Sequence, residues 1–131
     1  MKKTIFVDTG YFIAILNRKD INHNTAKDEL EILNQSKIVV SDFIIFETIT
    51  FLNSSLKNHE LAMLFLDFIE SIENINIIEV DKRIKNKSME LFKKYIDKDF
   101  SFTDCTSFVI MEEYNINEAF SFDIHFKQMG F

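Results

Sequence analysis

The chain contains no proline, two glycines and one cysteine in 131 residues. Without proline, a Ser/Gly-rich stretch or an internal repeat, nothing reads as a linker, and a single domain over residues 1–131 is expected. The lone Cys105 excludes an internal disulfide, and no Cys/His spacing suits a zinc site, which agrees with a reducing cytoplasm. No apolar run approaches the roughly 20 residues needed to cross a bilayer. Met1-Lys2-Lys3 carries the charge of a signal peptide, but Asp8 interrupts the apolar run after Ile5-Phe6-Val7, so a first strand is the better reading. A soluble, cytoplasmic protein with no membrane partner is therefore expected. Positive charge is also in deficit, with 15 Lys and Arg against 21 Asp and Glu and a net charge of −6. That argues against gripping nucleic acid by bulk electrostatics, but it leaves open a nuclease whose cations are bound metals. Lys82, Arg83, Lys85, Lys87, Lys93, Lys94 and Lys98 do cluster, and for most of them a solvated helix face is expected.

What is abundant is apolar surface, 47% of residues, enough for a sizeable core. Thr4 to Val7 reads as a strand that stops at Asp8-Thr9-Gly10, and Tyr11 to Leu16 as the helix after it. Asn24 to Leu33 predicts a second helix and Lys37 to Val40 a second strand, after which Ser41 or Asp42 caps a helix through Leu52. In Asn58 to Ile72, Leu61, Leu64, Phe65, Phe68, Ile69 and Ile72 share one helical face. Asn76 to Val80 is a third strand, and Ile84, Ser88, Leu91, Phe92 and Tyr95 mark another helix. Ser101-Phe102-Thr103-Asp104 resembles a capping box before Cys105 to Tyr114, with Asn115 suited to the left-handed closing position, and Glu118 to Phe122 is a fourth strand. Alternating strands and helices imply an α/β fold with a mainly parallel sheet covered on both faces, and a ligand site beyond the carboxyl ends of its strands.

Four acids are candidates for that site, and each has a plain structural role available. Asp8 can cap a helix, Asp104 can complement a helix dipole, and Asp123 can organise its turn. Glu47 has Phe43 and Phe51 as same-face neighbours, so it is expected in apolar surroundings, where an ionised carboxylate must be paired, bound to a cation or protonated. If the four converge, their repulsion calls for a hard cation with oxygen ligands, Mg²⁺ or Mn²⁺, and such a centre suits phosphodiester hydrolysis.

The stretch Ile5-Phe6-Val7-Asp8-Thr9-Gly10, the isolated Glu47, Asp97-Lys98-Asp99-Phe100-Ser101-Phe102-Thr103-Asp104-Cys105, and Phe120-Ser121-Phe122-Asp123-Ile124-His125-Phe126 with Gly130-Phe131 together resemble a PIN domain of the VapC type. The resemblance implies a three-layer α/β/α sandwich and a Mg²⁺- or Mn²⁺-dependent endoribonuclease, the toxin of a toxin–antitoxin pair, with Asp8, Glu47, Asp104 and Asp123 as catalytic residues and metal ligands. RNA as substrate, a small antitoxin protein that occludes the site, and a homodimer as one candidate assembly are the partners it implies. Thr9 and Ser121 would support the carboxylates, a role weighed against ordinary turn and strand packing. Ser101 reads first as a helix cap. Two departures stand out: Asn115 where relatives often have Gly, and Glu112 and Glu113 where they often carry basic residues.

Competing functions are a non-catalytic PIN-like binding module, in which the acids are caps and ion pairs, and a metal-dependent DNA nuclease. His23, His59 and His125 show no spacing that unites them for metal-free acid–base cleavage, and His125 reads as structural. No Gly-rich phosphate loop or Gly-x-Ser-x-Gly elbow is present. Fifteen Phe residues exceed what one small core holds, so some are expected to line a partner groove.

Overall fold

Short β-branched and aromatic runs form the strands of a central sheet, and a computed structural model describes residues 2–131. The strands are β1 (Thr4–Val7), β2 (Lys37–Ser41), β3 (Ile75–Ile78) and β4 (Glu118–Phe120). They pair in parallel in the order β3-β2-β1-β4. Helices α1 (Thr9–Leu16), α2 (His23–Asp28) and α3 (Leu30–Asn34) connect β1 to β2. Helix α4 (Asp42–Thr50), a π-helical turn at Phe51–Ser55 and helix α5 (His59–Ser71) lead to β3; α6 (Lys82–Lys94) and α7 (Phe102–Glu113) lead to β4, and α8 (Ile124–Gln128) follows.

The period-2 alternation of β1 separates the layers. Phe6 points to one side, 6.2 Å from the ring of Phe126, which meets Phe108 of α7 at 5.0 Å. Val7 points to the other, among Phe12, Leu33, Ile38 and Phe68. Thus α1, α3 and α5 cover one face, α7 and α8 the other, and α6 packs on α7. The result is a three-layer α/β/α arrangement.

Local signals account for most helix ends. Ser41 caps α4 through the Ile44 amide at 3.1 Å, while Asp42 Oδ1 accepts from the Val80 amide at 3.0 Å and so ties α4 to the segment after β3. The Ser101/Asp104 capping box is present, and Asn115 takes the left-handed conformation with φ 54°. The basic residues of α6 are exposed, with Arg83 and Lys87 pairing to Glu113 of α7. The acid there is therefore neutralised by the neighbouring helix. No helix is long and apolar enough to cross a membrane among the described residues.

Several expectations need correction. The helix expected over residues 24–33 is broken at Glu29 (φ −92°, ψ 0°), which separates α2 from α3. The break coincides with a bond from the buried Tyr11 hydroxyl to the Glu29 carboxylate, an acceptor that the phenol needs away from water. Leu64, placed on the core face of α5, is exposed, whereas Ala62 is buried, because packing on α1 and α4 rotates the buried stripe to Ala62, Phe65 and Ile69. The third strand lies one to two residues earlier than expected, at Ile75–Ile78, since Val80 is drawn to Asp42. The fourth ends at Phe120, before Ser121 turns to the neighbouring strand end.

The Tyr11–Glu29 bond should be measurable. Tyr11→Phe keeps the ring against Phe120 and Phe122 but removes the hydroxyl, and is expected to lower unfolding stability in urea by on the order of 1 kcal/mol. Unchanged stability would mean that Glu29 is equally well satisfied by water.

Candidate metal centre

The chain winds outward from β1 to β2 and β3, then returns to place β4 on the other side of β1. A reversal of this kind leaves a crevice at the carboxyl ends of the strands. Val7 and Phe120 are in register, and the Asp8 amide donates to the Phe120 carbonyl at 3.1 Å, so Asp8 and the segment Ser121–Asp123 leave the sheet side by side.

Asp8 stands at the N-cap position of α1, yet its side chain makes no capping bond. It accepts instead from Ser121 Oγ at 3.0 Å. The same Ser121 oxygen accepts the Asp123 amide at 3.0 Å, so one hydroxyl links two acids that are far apart in the chain. Ser121 is thus bonded to the Asp8 carboxylate and to the Asp123 backbone.

Asp104 and Asp123 do act in helix caps. Asp104 Oδ2 accepts from the Ser101 amide at 3.1 Å, and Asp123 Oδ1 accepts from the His125 amide at 3.0 Å at the start of α8. Each also contacts the imidazole of His125, whose Nδ1 lies 2.9 Å from Asp104 Oδ2 and 3.1 Å from Asp123 Oδ1. Asp104, Asp123 and His125 therefore present three potential metal-binding atoms within 4.8 Å of one another.

These groups line an open cleft of about 540 Å³ together with Thr9, Asp20, Glu47, Asp99 and Phe122. No Lys or Arg lines it among the described residues, so its six carboxylates share the cleft without a permanently charged side-chain cation. Burial pushes the Asp8 carboxyl up to about 7; the Ser121 hydrogen bond opposes this, and the nearby charges of Asp104 and Asp123 reinforce it. Thr9 Oγ1, also buried, has no hydrogen-bond partner among the described residues. Oxygen donors, a carboxylate that is costly to ionise alone and an orphaned hydroxyl beside it fit a hard divalent cation.

Glu47 corrects a sequence expectation. It is exposed rather than enclosed, and no ion pair holds it among the described residues. The reason is the setting of α4: Ile44, Ile45 and Thr48 turn inward, which leaves Phe46 and Glu47 outward, with Phe46 60% exposed. Glu47 lines the cleft as an exposed residue of its rim. His125, Asp20, Asp99 and Phe122 are cleft residues that sequence reasoning did not select. For His125 a signal existed, since a side chain two residues into a helix stands near the N-cap acid, here Asp123. Nothing local marks the other three.

Comparisons with known proteins agree with this architecture. The chain matches the PIN domain family over residues 5–131. It is 28% identical over 127 residues to the 23S rRNA-specific endonuclease VapC20 of Mycobacterium tuberculosis, covering 97% of this chain and 95% of the relative. It is 33% identical over 129 residues to a VapC ribonuclease of Archaeoglobus fulgidus, covering 92% and 77%. The crystal structure of Mycobacterium tuberculosis VapC20, a sarcin-ricin loop cleaving toxin, superposes with a TM-score of 0.88 at 28% identity, covering 97% of this chain and 95% of that one. VapBC2 of Rickettsia felis, solved with a DNA fragment from its promoter, shares the fold with a TM-score of 0.71 at 18% identity and 96% and 92% coverage.

The state of Asp8 sets a stability difference that pH reveals. Its carboxyl titrates near 3.8 when unfolded and at about 7 when folded, so its proton favours the folded state fully below pH 4, and that contribution is lost as pH rises through about 7. In chelator, Asp8→Asn is therefore expected to match the wild type at pH 4 and to exceed it at pH 8, by on the order of 4 kcal/mol at most. Millimolar Mn²⁺ at pH 8 should then raise the melting temperature of the wild type more than that of the variant. Parallel stability curves from pH 4 to 8 would show that the Asp8 carboxylate is solvated rather than waiting for a cation.

Proposed function

This chain belongs to the PIN-domain family, and on that premise we propose that residues 1–131 form one nuclease domain, a metal-dependent endoribonuclease that is the toxin of a toxin–antitoxin pair. Asp8, Glu47, Asp104 and Asp123 are its catalytic residues and metal ligands, and Mg²⁺ or Mn²⁺ is its cofactor. The observation that carries this reading is the union of Asp8, Asp104 and Asp123 through Ser121 and His125 in a cleft that no Lys or Arg lines. Acids serving only as caps and ion pairs would not need to converge, and Asp8 has no capping bond at all.

When bound, the divalent cation supplies Lewis acidity toward a phosphate and makes water acidic enough to attack at neutral pH. The protein's own contribution is orientation. Ser121 Oγ fixes Asp8, the Ser101 amide fixes Asp104, and the α8 amide of His125 fixes Asp123, each by a bond to one carboxylate oxygen. Thr9 Oγ1 is a further oxygen donor beside Asp8. Glu47, unpaired at the rim, is free to accept a proton from water through its carboxylate. RNA phosphates would be repelled by this cleft in the absence of a cation, so substrate binding and cleavage both depend on it.

The antitoxin would occupy the apolar groove that adjoins the cleft. Phe43, Phe46, Thr50, Phe51, Ser55 and Thr103 line it, and Glu47 and Phe51 belong to groove and cleft alike. An amphipathic segment that buries apolar side chains there and extends a basic one toward the acids matches both the surface and its charge.

Asp8→Asn, Asp104→Asn and Asp123→Asn are each expected to reduce cleavage of an RNA oligonucleotide by on the order of 10²–10⁴-fold while leaving the protein folded, with Glu47→Gln affecting rate more than stability. EDTA should abolish activity and Mg²⁺ or Mn²⁺ restore it. Products should carry 5′-phosphate and 3′-hydroxyl ends; cyclic phosphate ends, or equal cleavage in EDTA, would overturn the metal reading. Faster cutting of a matched DNA oligonucleotide would transfer the assignment to a DNA nuclease.

A second measurement addresses the partner. Co-expression of a short co-encoded protein should relieve growth inhibition, and Phe46→Glu should abolish that relief without abolishing cleavage. Full relief with the variant would place the antitoxin elsewhere.

A further inference from the structure

We propose that His125 is a positioning residue of this centre, whose ring nitrogen Nδ1 holds Asp104 and Asp123 at the separation a cation requires while itself remaining outside the coordination sphere. The inference rests on the metal reading above and adds a residue to it.

An ionised carboxylate only accepts hydrogen bonds, so the imidazole nitrogen 2.9 Å from Asp104 Oδ2 carries a proton and donates it there, with Asp123 Oδ1 in polar contact at 3.1 Å. A nitrogen committed in this way has no lone pair to offer a metal. The oxygens it touches are also those already bonded by backbone amides, Ser101 to Asp104 Oδ2 and His125 to Asp123 Oδ1. Asp104 Oδ1 and Asp123 Oδ2 are left without protein hydrogen bonds among the described residues. Each carboxylate thus has one oxygen engaged by the protein and one oxygen available, which is how outer groups orient the ligands of a metal.

The ring can hold the acids because it is itself held. Phe100, 5% exposed, meets it edge-on at 5.2 Å, and the backbone of His125 lies in the α8 turn that Asp123 caps. Asp104 belongs to α7 and Asp123 to the β4–α8 turn, so without the imidazole no side chain among the described residues joins the two acids. The other histidines bond elsewhere, His23 to the Ala14 carbonyl and His59 to Asn53.

Two substitutions separate the donor from the ring. His125→Phe preserves an aromatic edge on Phe100 but has no donor, while His125→Asn loses the ring and retains an amide N–H near the position of Nδ1. Titration calorimetry with Mn²⁺ alone should show His125→Phe binding on the order of 10–100-fold more weakly than the wild type, with His125→Asn recovering most of the loss. If His125→Phe does not fold, His125→Leu replaces it, with far-ultraviolet circular dichroism as the check. Spin-echo modulation of the Mn²⁺-loaded wild type should show no directly bonded nitrogen. Unchanged affinity in the Phe or Leu variant overturns the positioning role alone, and a directly bonded nitrogen overturns it in favour of ligation. Absence of Mn²⁺ binding by the wild type removes the metal reading and this inference together.

Discussion

Like charges confined at the carboxyl ends of adjacent parallel strands are the constraint on which the rest of this protein depends. The pairing of β1 with β4 sets Asp8 beside Ser121 and Asp123, and the start of α7 brings Asp104 to the same place. Water is largely excluded from Asp8, so its carboxyl is hard to ionise, and no lysine or arginine of the cleft lining relieves it. Such a cluster persists in a folded chain because packing elsewhere fixes it. The buried layers around Phe6, Phe108 and Phe126 on one face and Phe12 and Phe65 on the other provide that packing.

Groups that terminate helices here also support the site. Asp104 completes the capping box of α7 and Asp123 caps α8, yet both also contact the imidazole of His125. Capping and metal binding are compatible because a carboxylate has two oxygens. The same economy explains Ser121, whose hydroxyl donates to Asp8 and accepts from the Asp123 amide. The alternatives weighed for each acid, structural or functional, are therefore not exclusive at Asp104 and Asp123. At Asp8 they are, since no capping bond forms.

The abundance of phenylalanine divides along the same lines. Phe6, Phe12, Phe65, Phe100, Phe108 and Phe126 are buried, whereas Phe46, Phe51, Phe92 and Phe122 are substantially exposed. Phe122 stacks on Tyr11 at 4.9 Å and lines the cleft, and Phe51 belongs to both cleft and groove. Phe46, Phe51 and Phe122 thus place exposed aromatic surface at the cleft and the groove beside it, while Phe92 lies apart on α6.

The order of strands and helices, the Ser101–Asp104 capping box and the left-handed Asn115 were legible in the sequence because periodicity, capping and turn chemistry act over a few residues. Asp8, Asp104 and Asp123 were legible as candidates for the same reason: each follows a strand or opens a helix. Glu47 was visible as an acid among apolar residues, but its exposure was not, since the orientation of α4 on the sheet decides which neighbours turn inward. The break at Glu29 coincides with a bond to Tyr11, 18 residues away, and the ring of His125 bonds Asp104, 21 residues away. Local rules contain no information about such distances; packing of α1 on α2 closes the first and the contact of α7 with α8 through Phe108 and Phe126 the second, and both are properties of the whole packed domain.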